Sequence, residues 1–97
     1  MQIPKTIRVG GKKYWIHAAK AKRRWNYGMI YYAVGTIVIN VTDNKGKPIP
    51  SERQSIAFWH ELTHALLHDM GHKLRSNEAF VDGFSKRLHS AIQSAEF

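Results

Sequence analysis

His60-Glu61-Leu62-Thr63-His64 constrains this chain more than any other stretch. An H-E-x-x-H run acquires meaning on a helix, where residues i and i+4 share a face. There the two imidazoles can hold one metal ion together, with the Glu61 carboxylate one position round the helix. Two imidazoles suit zinc, and a carboxylate beside zinc-bound water can act as a general base. A catalytic zinc site takes three protein ligands, so a second element must face this helix and supply the third.

The surrounding pattern supports a helix. Ser51 reads as its N-cap and Gln54 completes a capping box, which predicts a helix over residues 52–69 with the motif in its second half. Gly71 is its natural C′ residue. Ile56, Trp59, Thr63 and Leu67 continue the face that carries the histidines. Ser76 reads as a second N-cap and residues 77–94 as the last helix, with Phe80, Phe84, Leu88 and Ile92 as an apolar stripe for packing.

Upstream, Thr6-Ile7-Arg8-Val9 and Lys13-Tyr14-Trp15-Ile16 alternate about Gly10-Gly11, a hairpin with strands at 5–9 and 12–17. Residues 18–25 read as a short helix or a charged loop. Asn26-Tyr27-Gly28 is a turn signal, and residues 29–33 and 36–41 read as strands rich in β-branched and aromatic side chains. A turn cluster over residues 43–48 closes them. Trp15, Trp25 and Trp59 read as core or partial-core residues. The order of elements predicts an α+β fold: a small, largely antiparallel sheet of three to four strands packed against two C-terminal helices. No linker divides the 97 residues, so 1–97 reads as one domain.

Composition narrows the function classes. Apolar residues make up 43% of the chain, as in a globular protein. A chain this short is only modestly stable, and a bound metal would add to it. The absence of cysteine excludes disulfides and thiolate zinc sites. It also fits a reducing compartment, and residues 1–5 carry no apolar signal-peptide core, so a cytoplasmic location is expected. The longest apolar run, 29–34, is too short to cross a bilayer. The formal net charge of +8 includes the basic segment Lys20, Lys22, Arg23 and Arg24. Such a surface attracts acidic proteins or nucleic acid; a solvated, lysine-rich face is the plainer explanation.

The third ligand must come from His68, Asp69, His72, Glu78, Asp82 or His89. His60 and His68 stand about 12 Å apart along a straight helix, so His68 belongs behind the site or on the surface. Leu67 and Met70 occupy the positions where a metzincin would carry Gly and His. Glu78 is the better choice, because a tight turn at Gly71 would fold the second helix back against the first. Asp82, one turn further along, could then accept a hydrogen bond from a ligand histidine and fix its tautomer. Oxyanion contact could come from His68, His72, His89, Tyr31 or Tyr32, and the sequence does not choose among them. If strand 36–41 is a sheet edge beside the cleft, it could bind an extended peptide by strand addition.

H-E-x-x-H followed by Asn77-Glu78-Ala79-Phe80-Val81-Asp82 resembles the gluzincin arrangement. Over residues 27–88 the chain is more specifically similar to the ImmA/IrrE family of small metallopeptidases. Gly35-Thr36-Ile37-Val38-Ile39-Asn40 and His60-Glu61-Leu62-Thr63-His64-Ala65-Leu66-Leu67-His68 carry that resemblance. It implies Zn2+ held by His60, His64 and Glu78, with Glu61 catalytic and Asp82 supporting a ligand histidine. It further implies a protein or peptide substrate such as a DNA-binding transcriptional repressor, on a phage or other mobile element. Two alternatives stand beside it: an SprT-like protease acting on DNA-bound proteins, and a non-enzymatic binding module stabilised by zinc.

Overall fold

The computed structural model describes residues 3–22 and 26–97. The first hairpin joins β1 (Thr6–Val9) to β2 (Lys12–Lys20), and the second joins β3 (Gly28–Tyr31) to β4 (Thr36–Thr42). Gly10 turns the first hairpin at a φ of 61°, in the left-handed region that glycine tolerates. It also lies against the end of the motif helix: a Cβ there would run into the Asp69 carboxylate.

The sheet order is β1-β2-β4-β3. Both hairpins are antiparallel, but β2 and β4 pair in parallel, with Trp15 opposite Thr36 and Ala19 opposite Asn40. The sheet is thus mixed, with one parallel pair at its centre. The predicted edge strand is therefore interior: β4 lies between β2 and β3, and the edge is β3. Two strands of a hairpin look alike in sequence, and only the β2–β4 pairing decides which one is covered.

The helix α1 (Ser51–Asp69) packs on β1, β3 and β4, and α2 (Glu78–Ser94) packs against it. Phe58, Leu62 and Ala65 of α1 pack with Val9, Tyr14, Ile37 and Ile39 of the strands. α2 packs on α1 and, among the described residues, on no strand. No helix is long and apolar enough to cross a membrane.

Several local expectations are corrected. Residues 18–20 extend β2 rather than forming a helix or loop, because the parallel pairing with β4 continues to Lys20; residues 23–25, including Trp25, lie outside the described residues. Ser51 is the first residue of α1 and Pro50 its cap, with no side-chain capping bond; Gln54 donates its Nε2–H to the Ile49 carbonyl instead. Asn77, not Ser76, caps α2, its Oδ1 accepting the Phe80 N–H at 3.0 Å. Trp15 is 51% exposed, because its face of the sheet carries no helix, and Lys13 Nζ lies 4.3 Å from the centre of its ring.

The apolar stripe of α2 is also displaced. Val81, Ser85 and His89 are buried, while Phe80, Phe84 and Ile92 are exposed. Glu78 is turned toward α1, and Val81, Ser85 and His89 follow it at helical spacing.

Candidate metal centre

The two helices bring His60, His64 and Glu78 together, each offering one donor atom within 4.8 Å of the others. Glu78 divides its carboxylate between the histidines. Oε2 lies 3.1 Å from His60 Nε2 and Oε1 lies 2.8 Å from His64 Nε2. Donors bound to one tetrahedral zinc at 2.0–2.2 Å stand roughly 3.3 Å apart. The two His–Glu78 spacings are of that order, and the three donors lie within 4.8 Å of one another.

Backbone geometry aims the imidazoles. His64 Nδ1 lies 3.0 Å from the Arg75 carbonyl, which favours the tautomer whose Nε2 lone pair faces Glu78. The turn at Gly71, with a φ of 61°, reverses the chain and delivers that carbonyl. Asp82 had been expected to support a ligand histidine. Its Oδ1 is the carboxylate oxygen facing His60 Nδ1, at 3.7 Å, too long for a direct hydrogen bond. Its Oδ2 pairs with Lys86 at 2.9 Å, and that Lys86 bond holds the Asp82 carboxyl below its ordinary range.

Glu61 points the other way round the helix, toward β3, and is only 7% exposed. Burial first, and the Glu78 charge second, push its carboxyl from the ordinary 4.5 up to about 7. β3 runs close beside it: a Cβ at Gly28 would stand 3.2 Å from Glu61 Oε2 and 3.1 Å from the Val38 carbonyl oxygen. Gly28→Ala is therefore expected to displace the Glu61 carboxylate while His60, His64 and Glu78 stay in place. Any peptide-bond cleavage should drop about 10- to 100-fold with zinc stoichiometry unchanged, since misplacement by an ångström or less has that scale of effect.

His60, Glu61, His64, Glu78 and Asp82 all open onto one cleft of about 640 Å³, whose opposite wall is Tyr27 to Ile30 and Tyr32. Of the oxyanion candidates, Tyr32 alone lines it. Its ring stacks on His68, with centroids 4.0 Å apart, which gives His68 a supporting place. Burial and then the Glu61 charge raise the Tyr32 hydroxyl above its usual range, so it remains a donor. Tyr31 is half exposed and off the cleft. His72 accepts the Leu74 N–H. His89 is buried at the far end of the helix pair, 4.0 Å from Glu52. The Arg75 carbonyl and Gly28 were not foreseen, because neither carries a side-chain signal. Compared with known proteins, the chain matches no family model, no curated protein and no solved structure.

The raised Glu61 carboxyl has a stability consequence in the metal-free protein. Between pH 4.5 and about 7 the unfolded chain has lost this proton and the folded chain retains it, so stability falls as pH rises. The fall should be on the order of 3 kcal/mol, at about 1.4 kcal/mol per unit of pKa. Denaturant melts of zinc-free protein across this window should show the slope in wild type and lose most of it in Glu61→Gln.

Proposed function

We propose that this chain is a zinc-dependent peptidase, with His60, His64 and Glu78 holding the metal and Glu61 acting as general base. The observation that carries the reading is the convergence of two imidazoles and a carboxylate beside a second, buried carboxylate. Zinc bound there supplies a Lewis acid and a water acidified toward neutral pH. Glu61, the buried carboxylate beside these ligands, would take a proton from water as it attacks the carbonyl and deliver it to the leaving amine. Tyr32 donates its hydroxyl to the developing oxyanion. Asp82, paired to Lys86, stands beside His60 without bonding to it.

The substrate is an extended protein segment that adds to the edge of β3. The Asn40 N–H bonds to the Tyr27 carbonyl, so pairing alternates and the backbone groups of Gly28 and Ile30 point outward. These outward groups border the cleft and offer ladder bonds to an incoming strand. The ImmA/IrrE resemblance makes a transcriptional repressor in the cytoplasm the natural target. The test is zinc stoichiometry together with cleavage of an unstructured polypeptide, for wild type and Glu61→Gln. Wild type that binds no zinc after loading ends the proposal.

A further inference from the structure

We propose that the cleft selects segments with an acidic side chain about three residues from the scissile bond, and that Arg53, backed by Tyr27, recognises it. This rests on the peptidase reading and adds the chemistry of the substrate to it.

Arg53 is the third residue of α1, in the helix's first turn. A cation there opposes the helix dipole, which favours negative charge at this end. The helix start also lacks a side-chain cap, leaving its first N–H groups to attract the same sign of ligand. Among the described residues Arg53 has no carboxylate partner within ion-pair distance. Its guanidinium instead lies over the Tyr27 ring, 4.9 Å from the centroid. A guanidinium over a ring can still offer its N–H groups to a carboxylate. Both residues line the cleft.

The cleft's carboxylates make their contacts elsewhere, and Asp82 feels the Arg53 charge without pairing with it. Glu78 faces the two histidines and Asp82 is held by Lys86. Glu61 is buried on the sheet side. The chain's net charge of +8 strengthens the attraction at longer range.

Geometry sets the register. Arg53 and His60 are seven residues apart on one helix, about 10 Å along its axis. An extended strand advances about 3.3 Å per residue, so a segment lying on β3 meets Arg53 about three residues from the bond at the metal.

The test has a cleavage arm and a binding arm. In the first, zinc-loaded wild type cuts a mixed peptide library and the products are sequenced. Asp or Glu should be enriched about three residues from the cut. A Glu peptide should be preferred over its Gln analogue by about 10- to 100-fold, the scale of a charge-assisted hydrogen bond. That ratio should fall to near one in Arg53→Ala, invert in Arg53→Glu, and survive partly in Arg53→Lys. Zinc stoichiometry and thermal melting of each variant establish that it is folded.

In the second arm, fluorescence anisotropy follows labelled Glu and Gln peptides binding to zinc-loaded Glu61→Gln protein. Equal cleavage of Glu and Gln peptides, or a preference that persists in Arg53→Ala, overturns the proposal. So does a single-stranded oligonucleotide that binds more tightly than the Glu peptide and depends on Arg53, which would mark a nucleic-acid site. If nothing is cleaved but Glu peptides bind in an Arg53-dependent way, the acidic subsite stands and the peptidase reading falls. If nothing is cleaved and no peptide prefers the cleft, both fall.

Discussion

Glu61→Gln is expected to lower kcat/KM for an unstructured polypeptide by about 10³-fold, within the range measured for loss of a general base. Zinc stoichiometry should remain that of wild type. Gln preserves the shape of the side chain in a position only 7% exposed, where a smaller residue would leave a void. It removes the capacity to take and return a proton. Glu61 is not among the three metal donors, so the metal should be indifferent to the change. Parallel steady-state assays and metal analysis on the same preparations make the comparison. A variant that keeps full activity would assign the zinc to a structural role and make the chain a binding module.

Removing zinc is expected to lower the melting temperature steeply. A ligand present at a thousand times its dissociation constant stabilises the folded state by about 4 kcal/mol. For a domain of this size each kcal/mol moves the midpoint by about 4–8 °C, so zinc should raise it by roughly 15–30 °C. The proposed ion would join His60 and His64 of α1 to Glu78 of α2, and α2 touches no strand among the described residues. The metal should therefore be the main fastening of the second helix near its start. Glu78→Ala should abolish most of the zinc-dependent shift, and His64→Ala all of it. Calorimetry with and without a chelator, on wild type and both variants, supplies the measurement. A Glu78→Ala protein with an undiminished shift would show that the third ligand lies elsewhere.

The two fastened helices show where sequence reasoning works. Helix periodicity is local, so His60 and His64 on one face of α1 followed from their spacing. Capping chemistry at adjacent residues is harder to separate, and the start of α2 moved by one residue from Ser76 to Asn77. The facing of α2 was misread for a different reason. Phe80, Phe84, Leu88 and Ile92 form the more hydrophobic stripe, yet Val81, Ser85 and His89 are buried. Hydrophobicity alone predicts the first stripe; packing against α1 selects the second.

The α+β order of elements and the helix under the motif were legible in the sequence, and Glu78 was the better choice there to stand with His60 and His64. All of these depend on residue types at short spacing. Tertiary structure decided the parallel β2–β4 pairing, and with it that β3 rather than β4 is the edge beside the cleft. It also brought the Arg75 carbonyl to His64 and Gly28 to Glu61. Strand pairing and backbone approach join residues distant along the chain through groups that every residue carries, so side-chain spacing holds no record of them.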